Sequence, residues 1–200
     1  MKNILVITAS IFGQNGQSSQ LVNQTLDKLT RQHPDATVTI RDLAKNPVPH
    51  LDAERFGAFL AAQDEPTADQ ADVLAFSDAL IEELKQADAV ILGVPMYNFG
   101  VPSVLKAYFD HIARAGITFR YTENGPVGLL ADRPVYVLAA RGGIYAGTAN
   151  DSQTPFLRSF LGFLGLTSVE FVYAEGLNMG DDQKTSALDQ AGTEIDALTA

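Results

Sequence analysis

The sequence predicts an α/β protein built on a doubly wound, five-stranded parallel sheet of strand order 2-1-3-4-5, with helices on both faces. Three observations carry this expectation. Four short apolar segments bounded by polar or Gly-containing stretches read as strands, a fifth segment alternates apolar with polar residues, and helical stripes at three-and-four spacing lie between and after them. Units that alternate in this way imply parallel strands, because each crossover returns right-handed over the sheet.

The elements follow in chain order. Ile4, Leu5, Val6 and Ile7 form the first strand, and Leu21, Val22, Leu26 and Leu29 the first helical stripe. Residues 37–41 alternate, which suits a strand near the sheet margin with one wetter face. Residues 46–66 are rich in Pro, Asp and Ala and predict a surface excursion with a short helix around residues 54–62. Val73, Leu74, Ser77, Leu80, Ile81 and Leu84 place one stripe against the sheet. Residues 90–94 form the third strand, and Val101, Leu105, Tyr108, Phe109 and Ile112 the stripe after it. Residues 117–126 alternate and then meet the turn signal Asn124-Gly125, which predicts a hairpin-like insertion. Residues 135–138 and 169–173 complete the sheet; Phe156, Leu157, Phe160, Leu161 and Leu164 lie between them, and Leu188, Ala191, Ile195 and Leu198 follow. The runs at 4–7, 90–94 and 135–138 are apolar throughout, as strands buried on both faces are.

Composition narrows the chemistry. With 200 residues, 46% of them hydrophobic, the chain can bury a full α/β core but is short for two, so residues 1–200 are expected to form one domain. A formal net charge of -10 argues against a nucleic-acid partner, which clustered Lys and Arg would hold. There is no cysteine, so disulfides, thiolate nucleophiles and iron–sulfur ligation are excluded, and any redox work needs a bound cofactor. The apolar run at 4–7 is too short for a signal segment and no other run approaches membrane-spanning length, so a cytoplasmic protein with no membrane partner is expected. His33, His50 and His111 are scattered without paired spacing, and no metal site is expected.

In an open parallel sheet, ligands bind beyond the carboxyl ends of the strands where the strand order reverses, here between the first and third strands. Three loops meet there. Residues 9–18 combine Ser10, Gly16, Gln17 and Ser18 just before a helical stripe, which suits a phosphate held by helix N–H groups and hydroxyls; the alternative is that Ser18 or Ser19 merely caps the helix. Met96, Tyr97, Asn98 and Phe99 stand between Pro95 and Pro102, where a planar ligand could lie; the alternative is a rigid turn whose aromatics pack downward. Ala140, Arg141, Gly142 and Gly143 offer backbone that can approach a ring closely and donate to it; the alternative is an ordinary Gly-Gly turn beside an ion-paired arginine.

Over the whole chain, the segments Pro95-Met96-Tyr97-Asn98-Phe99, 114–126 and Arg141-Gly142-Gly143, supported by 160–165 and Ala174-Glu175-Gly176, resemble the FMN-dependent NADH:quinone oxidoreductases known as azoreductases, whose fold is flavodoxin-like. The resemblance implies an FMN enzyme that passes two electrons from NADH or NADPH to quinone or azo acceptors by a ping-pong mechanism. It implies that Ser10, Gly16, Gln17 and Ser18 hold the FMN phosphate, and that residues 96–99 and 140–143 surround the isoalloxazine. It also implies a homodimer in which Tyr121 and Phe163 help form the substrate pocket. The chain departs from its relatives at Ala140, where Ser is common, and at Tyr145, where His is common, and no catalytic side chain is assigned. A flavodoxin-type electron carrier is the alternative in a different class. A phospho-receiver domain would need acidic residues where this chain has Thr8-Ala9-Ser10.

Overall fold

A computed structural model describes residues 1–61 and 65–199. In chain order its elements are β1 (Asn3–Thr8), α1 (Gln17–Gln32), β2 (Thr37–Asp42), α2 (Ala53–Leu60), α3 (Ala68–Gln86), β3 (Ala89–Pro95), α4 (Ser103–Ile112), β4 (Phe119–Thr122), β5 (Gly125–Gly128), β6 (Val135–Ala140), α5 (Gln153–Leu164), β7 (Val169–Ala174) and α6 (Asp181–Leu198). One turn of 3-10 helix, Gly13–Asn15, precedes α1. The main sheet runs β2-β1-β3-β6-β7, all parallel, which is the expected order 2-1-3-4-5 once the hairpin strands are left out of the count.

Period-two alternation along the central strands supplies two cores. Leu5, Ile7, Leu92, Val94 and Val137 pack with Leu80, Ile81 and Leu84 of α3, Leu105, Tyr108 and Phe109 of α4, and Leu157, Leu161 and Leu164 of α5. Ile4, Val6, Ile91, Leu138 and Val172 pack with Leu21, Val22 and Leu29 of α1 and Ala191 and Ile195 of α6. Each fully buried aliphatic side chain is worth roughly 1.5–3 kcal/mol of transfer free energy, so the all-buried β3 anchors the sheet from both sides.

Two local expectations need correction. β2 is wetter than a strand with one wet face: none of its residues is buried and Ile40 is 60% exposed, because it stands at the sheet margin and Val38 is its contribution to the core. In the hairpin, Thr122 pairs with Gly125, so Glu123 and Asn124 make the turn and Gly125, at φ +106°, opens β5. The hairpin forms its own two-stranded sheet against α5, with Gly128 so close to Gly165 that a Cβ would lie 2.1 Å from the Gly165 nitrogen.

The excursion after β2 contains α2, capped by the Asp52 carboxylate, which accepts from the Arg55 N–H at 2.8 Å. This helix ends two residues short of the expected bound, and Ala62 lies outside the described residues. Phe59 docks it, edge-on to His111 at 5.9 Å and beneath the Arg114 guanidinium at 4.5 Å. Among the described residues no helix is long and apolar enough to cross a membrane, and no cluster of three metal-ligating side chains occurs.

Candidate functional site

The loop after β1 reaches α1 through Gly16, the N-cap residue. Only glycine fits there, since a Cβ would stand 2.1 Å from Ser10 Oγ. No side chain caps α1 and its first turn carries no acidic residue, so the helix presents its N–H groups and positive dipole end to the loop. Ser10 and Ser18 are buried beside it. The Ser18 hydroxyl and the Gln17 side-chain oxygen are buried without any hydrogen-bond partner. A buried hydroxyl left unpaired is costly, and a phosphate oxygen at this helix end would accept a hydrogen bond from it. The structure thus separates the two readings of Ser18: it is the second residue of α1, and Gly16 holds the capping position.

The loop after β3 makes a tight turn in which Tyr97 and Gly100 exchange backbone hydrogen bonds at 3.0 and 3.1 Å. Its two central residues, Asn98 at φ +48° and Phe99 at φ +64°, are both left-handed. A non-glycine residue in this region is strained by about 1–2 kcal/mol, so neighbours must hold the turn. Ser152 does so by donating its hydroxyl proton to the Phe99 carbonyl. Phe99 is 56% exposed, contrary to a turn with aromatics packed into the core.

The loop after β6 brings Gly142 against Asn178, where a Cβ would meet the amide nitrogen at 2.6 Å, and Gly143 against the Tyr145 hydroxyl, where it would meet oxygen at 2.7 Å. The Glu175 carboxylate pins this loop by accepting from the N–H groups of Tyr145 at 3.0 Å and Ala146 at 2.9 Å. Tyr145 meets Phe99 edge-to-face at 5.6 Å, joining the second and third loops.

The loops after β3 and β6, with Asn178 from the loop after β7, line a cleft of about 460 Å³ formed by Met96, Asn98, Phe99, Gly142, Gly143, Tyr145 and Asn178. Five of the residues expected around the ring or substrate stand elsewhere. The Tyr97 hydroxyl accepts from the Ile11 N–H of the loop after β1 at 3.2 Å. Ala140 is the buried end of β6, its carbonyl accepting from the Met96 N–H at 2.9 Å. Arg141 sends its guanidinium inward, to Asp151 at 3.1 Å, Glu175 at 2.9 Å, Thr154 Oγ1 at 2.9 Å and over the Tyr173 ring. Despite its burial, Asp151 is held below the usual carboxylate range by the Thr154 N–H and hydroxyl and by Arg141. Tyr121 and Phe163 share an aromatic cluster with Phe119, at 5.5 and 4.2 Å from its ring, and neither lines the cleft. Sequence reasoning missed Asn178 and the role of Glu175, because it inspected three loops at the strand-order reversal and not the fourth, after β7, at the same sheet edge.

The sheet order and the loops gathered at its carboxyl edge define a protein of the flavodoxin-like class, and the family model for the flavodoxin-like fold matches residues 2–198. The FMN-dependent NADH:quinone oxidoreductase of Alcanivorax borkumensis is 60% identical over 197 residues, covering 98% of this chain and 100% of the relative. That of Cellvibrio japonicus is 56% identical over 196 residues, covering 98% of both. Among solved structures, the azoreductase from Bacillus anthracis strain Sterne matches at a TM-score of 0.90 and 29% identity, covering 100% of this chain and 99% of that one. An FMN-dependent NADH-azoreductase of the same species, solved in complex with FMN, matches at 0.89 and 28%, covering 100% and 98%. The chain belongs to the family of FMN-dependent NADH:quinone oxidoreductases.

Proposed function

We propose that this enzyme binds FMN at the carboxyl edge of a doubly wound sheet and uses NADH to reduce quinones and azo compounds by two electrons in a ping-pong sequence. For a quinone, NADH, a proton and the quinone give NAD and the hydroquinone. The observation that carries the reading is the buried, unpartnered Ser18 hydroxyl at the uncapped start of α1, beside Ser10 and Gly16 and at the same sheet edge as the cleft. Ser10, Gly16, Gln17 and Ser18 would hold the phosphate. Met96, Tyr97, Asn98 and Phe99 on one side and the backbone of residues 140–143 on the other would hold the ring, Arg141 acting from beneath. Bound FMN supplies the hydride-transfer chemistry; the chain's own groups orient it and place glycine N–H donors at its edge. The same cleft then serves donor and acceptor in turn.

We read residues 1–200 as one FMN-binding domain, since strands from both halves of the chain share one sheet. A homodimer completes the pocket in this reading. Gln153, at the start of α5, touches the cleft loops, whereas Phe163 lies ten residues further along, about 15 Å away by helical rise. The aromatic cluster of Tyr121 and Phe163 therefore serves the cleft of a second copy. NADH is confined to the cell interior, and we place the enzyme in the cytoplasm.

Anaerobic mixing of the purified protein with NADH and then with a quinone tests the function. Flavin absorbance is expected to bleach and then return, and heat should release FMN and not FAD. A colourless protein that cannot be reconstituted with FMN overturns the reading.

A further inference from the structure

We propose that Gln153 is the positioning residue that aims the Asn98–Phe99 turn at the cofactor ring, and that buried Arg141 acts through it. The inference rests on the FMN reading above. Gln153 is 1% exposed, and each polar atom of its side chain is engaged. Its amide nitrogen donates to the Pro95 carbonyl at 3.1 Å and to the Gly100 carbonyl at 3.3 Å. These two carbonyls bracket the strained turn, one at the end of β3 and the other just past Phe99. Its amide oxygen accepts from Arg141 Nε at 3.2 Å.

The chemistry requires an amide at this position. One end must donate twice and the other must accept from a guanidinium, and Gln is the side chain of this length that does both. Arg141 is itself locked by Asp151, Glu175 and Thr154, so the amide has one orientation available: reversing it would set its NH2 against the Arg141 N–H and its oxygen against two carbonyls. Asn98 and Phe99 favour negative φ when unconstrained. Releasing the two bracketing carbonyls lets the turn relax, which swings both side chains out of the cleft they line with Met96 and Gly142. Glu175 also pins the Tyr145 loop, so one buried cluster sets the positions of both ring-facing loops.

The variants Gln153→Glu and Gln153→Leu test this. Gln153→Glu keeps an acceptor for Arg141 but adds a negative charge to the buried Arg141–Asp151–Glu175 cluster and turns both donor contacts into oxygen facing oxygen. Gln153→Leu removes all three contacts at similar size. Backbone 13C and 15N shifts of Asn98 and Phe99 in the FMN-free protein report the left-handed turn directly. Titration with FMN, followed by flavin fluorescence and visible absorbance, reports the ring environment. The expected result is loss of the left-handed shifts in both variants, about tenfold or greater weakening of FMN binding, and an altered visible spectrum, with circular dichroism unchanged in Gln153→Glu. Should Gln153→Leu fail to fold, Gln153→Glu alone decides. Left-handed shifts retained in Gln153→Glu, with wild-type FMN affinity and spectrum, overturn the proposal. A wild-type protein that binds no FMN overturns the cofactor reading and the ring-aiming role, while the shifts still decide whether Gln153 holds the turn.

Discussion

The Tyr97 hydroxyl accepts a hydrogen bond from the Ile11 N–H at 3.2 Å, across 86 residues of sequence. The contact ties the loop after β1 to the loop after β3 through one phenol.

Tyr97→Phe removes this tie and little else. A lost neutral hydrogen bond is worth about 1 kcal/mol, so FMN binding should weaken roughly fivefold with secondary structure unchanged. Fluorescence titration of the FMN-free protein measures it. Unchanged affinity would mean that the two loops are spaced by something other than this contact.

Ser18→Asp should abolish FMN retention while the fold survives. An acid in the first turn of α1 is favoured by the helix dipole. Beside a phosphate of charge near minus two it introduces repulsion on the order of 4 kcal/mol per charge pair at 4 Å and near-surface dielectric, enough to weaken binding by orders of magnitude. Flavin occupancy by absorbance, read beside circular dichroism, decides. A variant still yellow at wild-type stoichiometry moves the phosphate elsewhere.

Mixed dimers test the shared pocket. Ser18→Asp lacks cofactor and Phe163→Ala lacks the pocket aromatic, so each is expected to be weak alone. Mixing them under conditions of subunit exchange builds heterodimers in which one site is whole, and activity should recover to about a quarter of wild type. Failure to recover, in heterodimers verified by native mass spectrometry, removes Phe163 from the partner's site.

His111 and Asp132 should give stability opposite pH windows. The His111 ring is buried between Phe59 and Phe76, with Nδ1 on the Ala107 carbonyl at 3.0 Å and Nε2 unpartnered. Burial lowers its pKa, helped by Arg55 and opposed by the Ala107 bond, Asp110 and Asp52. The unfolded chain therefore binds the proton more readily, and stability falls as pH drops below about 6.5. His111→Phe should flatten Tm between pH 7 and pH 5, and a slope unchanged in that variant would assign the effect to other groups.

Asp132 works the other way. Its carboxylate accepts from the N–H and hydroxyl groups of Thr167 and Ser168 at 2.7–3.0 Å, fastening the turn before β6 to the turn before β7. These bonds hold its pKa well below the usual carboxylate range, the Ser168 N–H contributing most. The stabilisation is present above the unfolded pKa near 3.9 and is lost as pH falls through the lower folded value. Asp132→Asn should lower Tm by about 2–4 °C at pH 7, with the gap to wild type narrowing below pH 4. Equal melting temperatures at pH 7 would show the clamp to be idle.

The sheet was legible because its signals are local. The apolar runs of β1, β3 and β6 and the stripes of α3 and α5 state which faces are buried before any partner is known, and the right-handed crossover rule makes the strands parallel. The three loops were legible for the same reason, since each follows a buried strand. Arg141 illustrates where such reading stops. In sequence it stands beside Gly142 and Gly143 and looks like a ring contact, yet its guanidinium turns inward to Asp151 and Glu175, partners 10 and 34 residues away. Asn124-Gly125 marked the hairpin but not its register, which depends on the pairing of Thr122 with Gly125.

By itself, then, the sequence determined the alternating strand–helix architecture and the two-sided burial of the central strands, and its motifs carried the resemblance to a family of FMN-dependent oxidoreductases. Periodicity and composition are properties of contiguous residues, and they survive without coordinates. The tertiary structure alone decided that Ser18 is an unpartnered donor and not a cap, that Asn98 and Phe99 are held left-handed, that Gln153 bridges Arg141 to that turn, and that Phe163 packs on Phe119 and does not line the cleft. Those facts depend on which groups meet after burial, where an unpaired polar atom or a strained φ persists only if distant residues compensate it.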